Sequence, residues 1–149
     1  YDNVRIGING RFDTLQAAIL LAKFEIFPEE ITLRQEAAKR YNDLLSHESI
    51  RVPYVKEGSL SAWAQYSLVS SKKDEILGTL KKAGIPTAVY YPKPLHLQGA
   101  YRYLGHEPGD FPISEEIAGT VFSLPMHPYL TEQEQKNIAD VILSAVRER

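Results

Sequence analysis

The sequence predicts an α+β fold, a small and mostly antiparallel sheet covered by helices and preceded by a long broken helix. Three observations carry this. An apolar stripe at helical spacing runs from Phe12 to Phe27 and is broken at Pro28. Short β-branched and aromatic stretches recur between helical ones further on. A capped, amphipathic segment begins at Thr131 and closes the chain. Strands and helices mixed in this order pack as a small sheet covered on one side.

Tyr1 to Gly10 is polar, holds two glycines and is expected to be loop. Phe12, Leu15, Ile19, Ala22 and Ile26 then fall on one helical face, widened by Leu20, Leu21, Phe24 and Phe27. A helix this apolar is expected to be buried on most sides, partly against another subunit, with Asp13 or Thr14 capping its start. Pro28 opens a second helix, with Glu29 and Glu30 at its positive end, running to about Leu45. Ile31, Ala38, Tyr41 and Leu45 form its apolar face, and Arg34, Lys39 and Arg40 its solvated or salt-bridged side. Ile50 to Val55 reads as a short extended segment, placed at a sheet edge by Pro53. Trp63 to Val69 alternates as a core strand. Lys73 to Ala83 is a helix stopped by Gly84. Thr87 to Tyr91 is a strand ending at Pro92, and Leu95 to Leu104 a loop with a short helical turn. Phe111 to Gly119 is a helix and Thr120 to Leu124 a strand. In the last helix Thr131 and Glu134 form a capping box, and Ile138, Val141, Ile142, Ala145 and Val146 face the core. Three or four strands are expected in the sheet.

Composition narrows the function classes. The chain has 149 residues, 44% hydrophobic and 24% charged, enough for one domain with a real core. A formal net charge of −2 gives no support for a nucleic-acid partner. Cysteine is absent, which excludes disulfides and thiolate metal sites and is compatible with cytoplasmic residence. No apolar run reaches the length of a membrane span, and no signal peptide is visible. Position 1 is Tyr and the chain opens on a polar segment, which reads as a piece cut from a longer protein. A processed N-terminus gives the same start. His47, His96, His106 and His127 lack the spacing and carboxylate company of a metal site.

Two motifs stand out. In Gly7-Ile8-Asn9-Gly10-Arg11, the Asn9-Gly10 pair taken alone is a turn dipeptide. It is not a phosphate loop, because the Lys-Ser/Thr ending is missing. An Asn amide at a helix entrance can still donate to an anionic oxygen. Arg11 can grip a carboxylate or phosphate through its planar fork, or pair with Asp13. In Tyr90-Tyr91-Pro92-Lys93-Pro94-Leu95-His96, two prolines stiffen a strand exit. The phenols can donate to a ligand, and His96 can bond or transfer protons near neutral pH. Alternation puts Tyr90 and Tyr91 on opposite faces, one of them in the core. No nucleophile elbow is present, and Ser123 lies on a strand without an evident base.

These motifs occur together with Gly84-Ile85-Pro86-Thr87-Ala88-Val89 and Ser123-Leu124-Pro125-Met126-His127-Pro128. In that order they resemble the DegT–StrS family of nucleotide-sugar aminotransferases over nearly the whole chain. The resemblance implies fold-type I enzymes dependent on pyridoxal 5'-phosphate (PLP). They work as homodimers and move an amino group, usually from glutamate, onto a nucleotide-linked keto-sugar. It implies an N-terminal loop and interdomain helices over residues 1–46 and a small C-terminal α+β domain over 47–149. The large domain, with its Schiff-base lysine, lies outside the chain, which alone is catalytically incomplete. By the same resemblance Asn9 reaches the PLP phosphate of the partner subunit and Arg11 contacts substrate across the dimer. Tyr90 and Tyr91 match a pair that often reads His-Tyr near the sugar or donor, so the first position departs from the pattern. His96 falls in the same substrate-binding stretch. Within the family the likeness is to enzymes of surface-polysaccharide pathways acting on 3-keto sugars such as UDP-2-acetamido-3-oxo-glucuronate. A carboxylated sugar suits Arg11, and so does the glutamate carboxylate. The competing reading is a non-catalytic α+β binding or dimerisation module, supported by the missing lysine.

Overall fold

A computed structural model of the chain describes residues 2–7 and 13–147. Helix α1 spans Thr14–Lys23 and α2 Phe27–Leu44. Strand β1 covers Tyr66–Val69, and α3 follows over Lys73–Lys82. Two short 3-10 helices, Leu95–Leu97 and Gly99–Leu104, lead to α4, Pro112–Thr120. Strand β2, Val121–Leu124, and α5, Glu132–Val146, complete the order. No helix among the described residues is long and apolar enough to cross a membrane.

Each boundary has a local cause. The Asp13 carboxylate accepts the Leu15 N–H at 2.8 Å and so caps α1. Pro28 sits in the first turn of α2, where its missing N–H costs nothing. Gly84, at φ +72°, takes the left-handed conformation that stops α3. At α5, Thr131 Oγ1 accepts the Glu134 N–H at 3.3 Å, while the Glu134 carboxylate accepts the Thr131 N–H at 2.9 Å. Thr131→Ala removes this reciprocal cap and is expected to cost about 1 kcal/mol, read from the urea midpoint at an unchanged m value.

The sheet is smaller than the sequence suggests. β1 and β2 pair antiparallel, with Tyr66 opposite Leu124 and Leu68 opposite Phe122. The two expected outer strands are reduced to single antiparallel bridges, Arg51 to Val69 on one side and Ala88 to Ser123 on the other. Prolines explain this. Pro53 lies just beyond the first bridge, and Pro86 and Pro92 bracket the second. None has an N–H to extend a ladder.

One face of the sheet carries the core. Tyr66, Leu68, Phe122 and Leu124 pack with Ala38, Tyr41 and Leu45 of α2 and its C-cap, Ile76 and Leu80 of α3, and Ile138, Ile142 and Val146 of α5. Burial pushes the Tyr41 and Tyr66 phenols upward. Each donates a hydrogen bond, Tyr41 to the Pro125 carbonyl at 3.1 Å and Tyr66 to the Asn42 amide oxygen at 2.6 Å.

Within this chain α1 lacks the cover that its stripe predicts, and two further expectations are corrected. No residue of α1 is buried, and Leu15, Ile19 and Leu21 stand 76%, 62% and 72% exposed. The stripe is real, but no other described element covers it. Arg34 and Arg40 are not a solvated face. Arg34 donates to the Trp63 carbonyl at 2.9 Å, and Arg40 to Gln135 at 2.6 Å and the Leu130 carbonyl at 3.1 Å. Trp63 precedes the strand rather than opening it, in left-handed backbone at φ +49°. It is held there by Arg34, by the Ser61 hydroxyl on its N–H, and by an indole bond of 2.8 Å to Gln35, whose amide in turn donates to the Ser61 carbonyl.

Candidate functional site

The site is built around the chain leaving the Ala88 bridge. The backbone bends at Tyr90, so strand alternation does not continue and neither tyrosine enters the core. Tyr90 is half-buried and Tyr91 is 63% exposed. Tyr90 lines a cleft of about 220 Å³ on the sheet face opposite the core, together with Gln65, Thr87, Ser123 and Met126. Ser123 also bonds across the strands, its hydroxyl 2.8 Å from that of Ser67. The cleft is open and mixes hydroxyl and amide groups with apolar walls from Ala64, Pro86, Leu124 and Pro125.

Past Pro94, the first 3-10 helix turns His96 away from that cleft. Its side chain is 8% exposed, with Nε2 at 3.1 Å from Glu115 Oε1. The Gly109 N–H holds the Glu115 carboxyl below the usual carboxylate range, helped by His96 and the Phe111 N–H. An ionised carboxylate only accepts, so Nε2 carries the proton and donates. The His96 ring lies 4.8 Å from that of Phe111, and His106 packs on Phe111 at 4.9 Å. His106 in turn meets Asp110 at 3.2 Å. Among the described residues, no group of His, Asp and Glu is arranged to hold a metal ion.

The N-terminal segment docks on this same stretch. Asn3 donates its side-chain amide to Gln98 Oε1 at 2.8 Å, and the Ala100 N–H donates to the Asn3 carbonyl at 2.7 Å. Lys93 Nζ bonds both oxygens of Asp2 at 3.0 Å, which holds the Asp2 carboxyl below its ordinary value. Both partners of this ion pair are well exposed, so it adds little stability of its own.

The structure therefore brings the segment ending at Gly7 beside the one carrying Tyr91 and His96. It puts Tyr90 and His96 in different surroundings. Asn9 and Arg11 lie outside the described residues. Sequence reasoning did not find Asn3, Gln98 or Glu115. Their partners are between 19 and 95 positions away, or lie in an irregular loop, and no periodicity marks such a pair.

The chain is similar to known proteins along most of its length. Residues 1–143 match the DegT/DnrJ/EryC1/StrS aminotransferase family. The UDP-2-acetamido-2-deoxy-3-oxo-D-glucuronate aminotransferase of Pseudomonas aeruginosa is 45% identical over 130 residues, which is 87% of this chain and 35% of that protein. A DegT DnrJ EryC1 StrS aminotransferase from Brucella abortus superimposes with a TM-score of 0.83 at 49% identity, covering 97% of this chain and 38% of that one. S. venezuelae DesV, solved in complex with a ketimine intermediate, gives 0.86 at 28% identity over 96% of this chain and 39% of its own. The chain thus spans well under half the length of each of these relatives. With a family match over nearly its whole length, the chain belongs to the DegT/DnrJ/EryC1/StrS aminotransferase family.

Proposed function

We propose that this chain is the C-terminal part of a PLP-dependent aminotransferase that moves an amino group from glutamate onto a nucleotide-linked 3-keto sugar. The observation that carries the reading is the 45% identity to an aminotransferase of a 3-oxo-glucuronate nucleotide. The proposed setting is the cytoplasm, in surface-polysaccharide biosynthesis, and the working unit is a homodimer.

The residues present fit one part of such a site. Every lysine of the chain is described and none is buried. Lys93 is paired with Asp2, and Lys72 and Lys73 donate to backbone carbonyls. None sits enclosed in a pocket that would hold a cofactor aldehyde against it. The covalent anchor therefore belongs to the large domain, and this chain supplies non-covalent contacts. When bound, PLP provides the electron sink for the transfer. Asn9 would donate to its phosphate in the partner subunit, and Arg11 would grip a substrate carboxylate. The Tyr90 and Tyr91 phenols would bond the sugar or the donor. His96, with Nε2 given to Glu115, would orient this segment rather than carry a proton from that atom.

The test is direct. Full-length protein with PLP, glutamate and UDP-2-acetamido-3-oxo-glucuronate should yield 2-oxoglutarate and the amino sugar by mass spectrometry. Failure to aminate any 3-keto nucleotide sugar overturns the reading. So would covalent PLP binding and transamination by residues 1–149 alone. Tyr91→Phe is expected to raise KM for the sugar or the donor by about 2–10-fold with a smaller change in kcat, the effect of one lost hydrogen bond.

A further inference from the structure

We propose that Gln98 is a positioning residue that fixes the N-terminal segment Asp2–Gly7 against the Tyr91–His96 segment, and that cofactor binding depends on this docking. Its consequence for cofactor and substrate rests on the aminotransferase reading. The geometry does not.

Gln98 is 1% exposed in a stretch of chain that is otherwise half-buried or exposed. Both ends of its side chain are bonded. Oε1 accepts from the Asn3 side-chain amide at 2.8 Å and the Asn3 backbone N–H at 3.4 Å. Nε2 donates to the Lys93 carbonyl at 3.1 Å. One amide thus joins residue 3 to the carbonyl between Pro92 and Pro94. Only a group with an acceptor at one end and a donor at the other satisfies both sides at once. Glutamate would turn an acceptor toward the Lys93 carbonyl. Leucine would leave the Asn3 donors and that carbonyl without partners.

The surroundings favour the same docking. The Ala100 N–H takes the Asn3 carbonyl at 2.7 Å. Gly99 packs directly under the segment, where a Cβ would stand at ordinary contact distance, 3.6 Å, from Val4 Cα. The prolines at 92 and 94 make the Lys93 carbonyl a stiff anchor point. On the other side the segment runs on, residue by residue, into the motif that holds Asn9 and Arg11. A side chain that holds one segment by way of another acts on the site without touching substrate.

The experiment uses the full-length protein with Gln98→Leu, Gln98→Glu, Asn3→Ala and the Asn3→Ala/Gln98→Leu double variant. Hydrogen exchange is followed across residues 2–7 and at the Ala100 amide, and PLP affinity is measured by titration. Gln98→Leu should speed exchange there about tenfold or more, with α5 amides unchanged. PLP affinity should fall by about fivefold or more in the same variant. Asn3→Ala should reproduce both effects, and the double variant should add little to either single one. Should Gln98→Leu fail to fold, Asn3→Ala, on the surface segment, carries the same test. Unchanged exchange at residues 2–7, or additive effects in the double variant, overturns the proposal. A wild-type protein that does not bind PLP sinks the aminotransferase reading and leaves the exchange result to judge Gln98 by itself.

Discussion

Phe122→Ala is expected to lower the stability of the fold by about 3–5 kcal/mol. Phe122 is fully buried at the middle of β2, opposite Leu68, in the cluster that joins the sheet to α2, α3 and α5. Its ring is enclosed by the helices on one side and by its own sheet on the other. Most of the core residues around it are anchored on strands and helices, which limits collapse into the space. The lost transfer free energy and the cavity left behind therefore add. At this chain length each kcal/mol lowers Tm by about 2–4 °C, so the loss is large enough to read by thermal or urea unfolding followed by circular dichroism. Val121→Ala on the same strand, half-buried, should cost clearly less. Equal losses at the two positions would show that the core is not where the contacts place it.

Asn9→Ala in the full-length protein is expected to weaken PLP binding by about 10–100-fold. A hydrogen bond to a charged group contributes about 1.5–3 kcal/mol, and 1.4 kcal/mol is one factor of ten. The phosphate is the most highly charged part of the cofactor, so loss of an amide donor acts on affinity more than on the chemical step. Equilibrium dialysis against PLP gives the number, and unchanged affinity removes the phosphate role. The proposed cross-subunit placement has its own signature. Neither an Asn9→Ala dimer nor a dimer lacking the Schiff-base lysine should be fully active. A mixed dimer of the two rebuilds one complete site, with lysine from one subunit and Asn9 from the other. Activity that reappears on mixing supports the shared site, and activity that does not reappear places Asn9 in its own subunit's pocket.

The parts of the fold that were legible in the sequence are those set by local rules. α2 begins at the proline and glutamates that mark it, α3 ends at Gly84, and α5 opens on the Thr131–Glu134 box. Tyr66 and Leu68 share one face of the strand, as alternation requires, and only the packing shows that this face is the buried one. What failed was set by tertiary context. The outer strands have strand composition, but their prolines leave a single bridge each. Trp63 has the look of a strand residue, and side chains from α2 hold it in a conformation that propensity disfavours. The Tyr90–Tyr91 alternation assumes a straight strand where the backbone bends. For the site, the motifs pointed to the family through their order. The amide bridge at Gln98 and the carboxylate behind His96 left no trace in spacing, because each depends on loops meeting in space.

Trp63 also gives the molecule an optical voice. It is the single tryptophan of the chain, 7% exposed, with its indole N–H bonded to α2 and its ring 5.8 Å from that of Tyr66. Its emission should be blue-shifted while α2 stays seated, and should redden when that helix lifts and water reaches the indole. The Gln98 bridge uses none of the groups that hold Trp63. Loosening of the N-terminal segment should therefore pass silently in tryptophan fluorescence, while loosening of the core announces itself. A titration that changes hydrogen exchange at residues 2–7 without moving the emission maximum would separate events at the site from events in the scaffold.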